Sequence, residues 1–132
     1  MPEQISVILP TYNRAYCLDR AIGSVVAQSF KDWRLYIVDE ASTDDSQALV
    51  EKWQSRHDNI EFLRTEKNSG VSYARNKGIY ASQGPWLCFL DSDDEWLPEK
   101  LQKQTDHLSV HPEHRLVHGE EIWVRNGVRV NP

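Results

Sequence analysis

The chain is expected to fold as an α/β domain: a mostly parallel sheet flanked by helices, closed at its C-terminal end by a β-hairpin. Three observations carry this. Short β-branched apolar runs alternate with segments of helical periodicity, the pattern that builds βαβ units with crossover helices. Polar, turn-forming residues follow the strand candidates. With 132 residues, 39% hydrophobic and 27% charged, the chain has the length and composition of one globular domain.

The first strand is Ile5-Ser6-Val7-Ile8-Leu9, closed by Pro10 and apolar enough to be buried on both faces. A helix follows over Leu18 to Gln28, with Leu18, Ala21, Ile22, Val25 and Val26 on one face. Trp33 to Val38 forms the second strand and ends at Asp39. Ser42-Thr43-Asp44-Asp45 offers N-cap side chains for a helix through about His57, with Leu49, Val50 and Trp53 inside. Ile60 to Leu63 is a third strand. A helix opens between Gly70 and Gly78 and is broken by Ser82-Gln83-Gly84-Pro85. The next strand, Trp86-Leu87-Cys88-Phe89-Leu90, reads as buried. Leu97 to Val110 is helical up to Pro112, after which Leu116 to His118 and Ile122 to Arg125 read as extended. Asn126-Gly127 before Val128-Arg129-Val130 is a two-residue hairpin signal.

Composition excludes several functions. A net charge of −5 with no basic patch argues against nucleic acid or an anionic membrane as partner. No apolar run approaches the roughly 20 residues of a membrane span, and the start lacks a signal-peptide pattern, so the expected location is the cytoplasm, with attachment at the inner membrane face left open. Cys17 and Cys88 have no metal or redox spacing.

The chemistry concentrates at Asp91-Ser92-Asp93-Asp94-Glu95, where a strand delivers several carboxylates to one place. Their mutual repulsion is relieved by a proton or a cation. Mg²⁺ or Mn²⁺ suits such oxygen donors and keeps positions for substrate phosphates. In a parallel sheet, ligands bind beyond the carboxyl ends of the strands, so the loops after Leu9, Val38 and Leu90 should converge. Tyr12 offers a ring for stacking on a base, Asp39 can accept from a base N–H, and Asp91 or Asp93 could hold a ribose hydroxyl and a metal. One aspartate at a strand end is ordinarily a turn or cap residue; two strand ends plus a triple aspartate favour a nucleoside diphosphate site. Arg75 could pair with the acidic cluster or a phosphate, although an ordinary helix is an equal reading of its segment. An EF-hand is excluded because Trp96 and Gln102 occupy its glycine and glutamate positions. A phosphatase with an aspartate nucleophile is excluded because too little chain follows Asp91. His107, His111 and His114 suggest zinc, but Pro112 interrupts the helix and no carboxylate–histidine pattern is evident, so a solvated helix end is the reading. Trp33, Trp53 and Trp86 read as core, and Trp96 as a candidate crevice residue.

Four ordered segments, Val7 to Arg14, Ile37 to Asp44, Asn68 to Gly78 and Phe89 to Asp94, resemble the hallmarks of family 2 glycosyltransferases. The resemblance spans about residues 5 to 100 and implies the GT-A fold, a Rossmann-like sheet of the nucleotide-diphospho-sugar transferase type. It implies that Pro10, Thr11, Tyr12 and Asp39 contact the base and ribose of a sugar donor, UDP-linked by default. Arg75 would lie near the donor. Asp91-Ser92-Asp93 matches the family's Asp-x-Asp motif, with Asp91 near the ribose or sugar and Asp93 on Mg²⁺ or Mn²⁺. The implied activity is transfer to an acceptor hydroxyl with inversion, in polysaccharide or lipid-linked glycan synthesis. Glu40-Ala41 departs from the family's more frequent Asp-Gly. No segment after Trp96 matches the acceptor-binding half, and Glu120-Glu121 is not assigned as its catalytic acidic pair. Residues 1–132 are therefore expected to be one donor-binding domain that lacks the acceptor half and the catalytic base. Two other classes compete with this reading: a phospho-acceptor receiver domain, suggested by Ile37-Val38-Asp39-Glu40, and a non-catalytic nucleotide-binding module.

Overall fold

The computed structural model describes residues 5–116, 123–125 and 128–130. Ten elements follow one another: β1 (Ile5–Thr11), α1 (Ala15–Val26), β2 (Trp33–Asp39), α2 (Ser46–Gln54), β3 (Ile60–Arg64), α3 (Val71–Ala81), β4 (Trp86–Phe89), α4 (Lys100–Val110), β5 (Trp123–Arg125) and β6 (Val128–Val130). The alternation expected from the sequence is the alternation found. β5 and β6 pair antiparallel, Trp123 opposite Val130; the Asn126-Gly127 turn, His118 and Glu120-Glu121 lie outside the described residues.

The four-stranded sheet has the order β3-β2-β1-β4, and all its pairs are parallel. All seven residues of β1 are buried. Successive side chains of a strand point to opposite faces, so full burial requires cover on both. On one face Val7, Leu9, Leu35 and Ile37 join Leu18, Ala21, Ile22 and Val25 of α1 and Val50 of α2. On the other, α3 lies so close that a Cβ at Gly78 would stand 2.6 Å from Ile8 Cγ2 and 3.3 Å from Val38 Cγ2. The absent side chain is what lets α3 reach the sheet.

Several boundaries differ from expectation for identifiable reasons. β1 continues through Pro10 to Thr11, in register with Val38 and Asp39, and the amide of Glu40 donates to the Thr11 carbonyl at 3.0 Å. α1 begins a turn early, at Ala15, because Asp44 accepts its N–H at 3.0 Å. α2 begins at Ser46, whose N–H and hydroxyl donate to Asp44 Oδ1 at 3.1 and 2.5 Å. β4 is half-covered instead of buried: Leu87 and Phe89 are exposed, as suits a strand at the edge of the described sheet. α4 starts at Lys100 because Leu97-Pro98-Glu99 is held by the buried Gln28. Its amide donates to Leu97 O at 2.7 Å and its Oε1 accepts from the Leu101 N–H at 3.0 Å. Trp33 is buried, while Trp53, Trp86, Cys88 and Trp96 pack against the core at its margin.

The close approach at Gly78 makes a testable prediction. Gly78→Ala raises helix propensity by about 1 kcal/mol, yet overpacking against Ile8 costs about 1–3 kcal/mol. Denaturant unfolding should therefore show Gly78→Ala to be less stable than the parent chain; an unchanged or raised midpoint would mean that α3 is not seated as closely as described.

Candidate functional site

Going from β1 to β2 to β3, the chain moves steadily to one side, then crosses to place β4 on the opposite edge of β1. The strand order reverses between β1 and β4, and crevices form beyond the carboxyl ends of strands at such switch points. A cleft of about 400 Å³ is found there, lined by Pro10, Thr11, Tyr12, Arg14, Glu40, Asn68, Val71, Arg75, Asp91, Ser92 and Asp93. Its volume lies in the range of small-molecule sites. The structure thus brings together Pro10, Thr11, Tyr12, Arg75, Asp91, Ser92 and Asp93, and leaves Asp39 and Trp96 off its lining. Trp96 instead packs on the core, with the Lys100 ammonium 5.0 Å from its ring centre.

The wall formed by β1 is conformationally specified. Asn13 and Ala41 have positive φ, 50° and 59°. Asn tolerates this region, whereas Ala there costs about 1–2 kcal/mol, which is the physical content of the Ala41 departure from the more frequent glycine. The two loops are knitted together: the Asn13 N–H donates to Ser42 Oγ at 2.8 Å, and the Thr43 N–H to Asn13 Oδ1 at 2.8 Å. Burial pushes the Asp44 carboxyl up, but hydrogen bonds from Ser46 and from the Ala15 N–H outweigh it and hold the group below its usual range. The side chain of Tyr12 is 43% exposed and available for stacking. Thr11 Oγ1 is buried without a hydrogen-bond partner, an arrangement that favours a ligand able to supply one.

The opposite wall is the loop after β4. Asp91, Asp93 and Asp94 each offer a carboxylate oxygen within 4.8 Å of the others. Arg75 of α3 holds one of them, Nη2 to Asp91 Oδ1 at 3.0 Å, and its guanidinium carbon lies 5.8 Å from the Phe89 ring centre. α1 fixes the loop from behind: the Cys17 thiol donates to Ser92 O at 3.2 Å. Burial pushes that thiol up, keeping it in the donor form.

Asp39 is fully buried, and both its oxygens are engaged. Ser42 Oγ donates to Oδ1, and Arg64 Nη1 donates to Oδ2 at 2.9 Å while Nη2 reaches Ser42 O at 2.7 Å. Arg64 was not singled out from the sequence. The available signal was its place at the end of the third strand, which register sets beside Asp39. Arg14, Glu40, Asn68 and Val71 were also not assigned, although Glu40 directly follows the assigned Asp39; Glu40 accepts the Ser69 N–H at 3.2 Å, joining the second loop to the start of α3.

Known proteins resemble this chain in sequence and in fold. The family model described as glycosyl transferase family 2 matches residues 6–119. The GalNAc(5)-diNAcBac-PP-undecaprenol beta-1,3-glucosyltransferase of Campylobacter jejuni is 39% identical over 102 residues, 76% of this chain and 33% of that protein. The UDP-Glc:alpha-D-GlcNAc-diphosphoundecaprenol beta-1,3-glucosyltransferase WfgD of Escherichia coli is 33% identical over 100 residues, covering 76% of this chain and 39% of its own. The crystal structure of S. aureus TarS 1-349 in complex with UDP-GlcNAc superposes with a TM-score of 0.79 at 30% identity, over 83% of this chain and 32% of that one. The chain thus spans well under half the length of these relatives. The strand order also differs from the 2-1-3-4-5 order of receiver-type folds, and none of these relatives favours that alternative.

The Asp39–Arg64 pair yields an asymmetric prediction. Arg64 is 42% exposed and Asp39 is not exposed at all, so removing the arginine strands a buried carboxylate, whereas removing the charge of Asp39 leaves an arginine that can reach water. Arg64→Met should cost about 2–3 kcal/mol and Asp39→Asn clearly less; urea midpoints in the reverse order would refute the account of this pair.

Proposed function

The chain belongs to glycosyl transferase family 2, and on that footing we propose that it forms the donor-binding domain of an enzyme that takes a sugar from a UDP-sugar and transfers it, with inversion, to an acceptor hydroxyl. The carrying observation is the cleft at the β1/β4 switch point, which combines an exposed aromatic ring, an orphaned buried hydroxyl, two arginines and clustered carboxylates. Tyr12 stacks on the base, and Pro10 and Thr11 shape the floor beside it. Asp39 contributes from behind this wall: it holds Ser42 and Arg64, and meets a base N–H only if one of these partners yields.

The donor set near β4 fits a hard divalent ion. Asp91 and Asp93 supply oxygen ligands, as Mg²⁺ and Mn²⁺ prefer, and a bound ion would offset the charge of the departing diphosphate. Arg75 adds a positive charge beside the same group and orients Asp91. Ser92, whose carbonyl is fixed by Cys17, sets the turn between the two aspartates. None of these groups is assigned as the base that deprotonates the acceptor. We place that base, and the acceptor site, in sequence corresponding to the remainder of the longer relatives. Two relatives are named for undecaprenyl-diphosphate-linked acceptors, which supports a lipid-linked glycan acceptor and work at the inner membrane face. No helix among the described residues is long and apolar enough to cross a membrane.

Calorimetric titration of UDP tests the donor assignment. Affinity with Mn²⁺ should exceed that with EDTA, and that of Asp93→Ala with Mn²⁺, by about 10–100-fold, or roughly 1.4–2.7 kcal/mol. Equal affinity in the three titrations would remove the metal bridge, and no UDP binding in any of them would remove the donor-site reading.

A further inference from the structure

The end of α4 holds a second group of metal-ligating side chains, apart from the cleft. α4 stops at Val110, and Pro112-Glu113 folds the chain back so that the His114 N–H donates to the His111 carbonyl at 3.0 Å. Three imidazoles converge as a result. Ring centres lie 4.6 Å apart for His107 and His111, 5.0 Å for His107 and His114, and 4.9 Å for His111 and His114. From the sequence these histidines read as a solvated helix end interrupted by Pro112; the turn at Pro112 brings His114 back onto His107. The carboxylate that the spacing did not reveal is Glu113, whose Oε1 lies 3.4 Å from His111 Nδ1 and 3.7 Å from His114 Nε2.

We propose that His111, Glu113 and His114 form a binding site for a borderline divalent transition ion, Zn²⁺ in the first instance, with His107 as the residue that orients His114. A tetrahedral zinc with ligands at about 2.0–2.1 Å separates neighbouring donor atoms by about 3.3 Å, close to the two distances from Glu113. The donor atoms of His111, Glu113 and His114 all lie within 4.8 Å of one another. Rotation of the half-buried His111 ring about its Cβ–Cγ bond, out of its near-parallel stacking on His114 at 10°, would re-aim its lone pair while His114 keeps its bond to His107.

The position of His107 strengthens the assignment. Its Nε2 lies 2.9 Å from His114 Nδ1, the distance of a hydrogen bond. With that bond donated by His114 Nδ1–H, the lone pair of His114 is left on Nε2, the atom that faces Glu113. Metal-bound histidines characteristically use their second nitrogen in this way. Two imidazoles and one carboxylate leave a coordination position open, and mixed N/O donors suit Zn²⁺ better than Mg²⁺. The carboxylates after β4 precede α4, while this group sits at the C-terminal end of that 11-residue helix, which is about 16 Å long. A bound ion would fasten the 111–114 turn to the last turn of α4.

The test is a calorimetric titration of the full chain with ZnCl₂ in millimolar Mg²⁺, which occupies all-oxygen sites. One Zn²⁺ per chain is expected. His111→Ala and His114→Ala should each weaken binding by more than 100-fold, His107→Ala by about 10–100-fold, and Asp93→Ala should leave it unchanged. The substituted residues lie at the surface, and far-UV circular dichroism verifies that each variant folds. A parallel Co²⁺ titration should give the intense visible bands of a four-coordinate ion, absent in His114→Ala. Zinc binding that is undetectable, that survives His111→Ala, or that is lost with Asp93→Ala would overturn the proposal. UDP affinity is read separately, so failure here leaves the donor site untouched and the reverse also holds.

Discussion

A strand buried on both faces and hydrogen-bonded on both edges needs four neighbours, and β1 has them: β2 and β4 at its edges, α1 on one face and α3 on the other. That constraint organises the rest. Because β2 and β4 leave β1 in opposite directions through the sheet, the loops at their carboxyl ends must part there, and the parting is the cleft. Residues remote in sequence, Tyr12 and Asp93 among them, line one cleft because β1 and β4, the strands they follow, pair side by side.

Polar side-chain contacts fix the loops around the cleft, some from loop to loop and some from the helices behind. The loop after β1 is bonded to the loop after β2 through Asn13, Ser42 and Asp44. The loop after β4 is fixed by Cys17 and Arg75, and the turn that follows it by Gln28. Clustered carboxylates repel one another; Arg75 relieves part of that repulsion, and a divalent ion at the proposed site would relieve more. Family 2 membership and the likeness to a UDP-GlcNAc-bound structure agree with a cleft arranged around an anionic, base-bearing ligand.

Much of this was legible in the sequence because it rests on local pattern. The β-branched run Ile5 to Leu9, the one-faced spacing of Leu18, Ala21, Ile22 and Val25, and the strand-end aspartates each report their own element. What escaped depends on register or on a turn. Arg64 acquires meaning only when β3 is set beside β2. Gln28 looks like an ordinary helix-end residue until Leu97 and Leu101 arrive from far along the chain. Leu87 and Phe89 read as buried, and their exposure follows from strand order rather than composition. The histidines after Thr105 were separated on paper by a proline and brought together by the turn it makes. Asp39 reads from the sequence as a base-contacting carboxylate; in the fold its oxygens are engaged by Ser42 and Arg64, and it is not part of the cleft lining.

The proposed donor site places a nucleoside diphosphate across the β1/β4 switch point with its metal on the aspartates. Crystals of the chain grown with UDP and Mn²⁺, measured at the manganese absorption edge, test this directly. The prediction is an anomalous peak at about 2.2 Å from an Asp93 or Asp91 oxygen, with the uracil stacked on Tyr12. A peak away from those carboxylates, or a nucleotide bound outside the cleft, would contradict it.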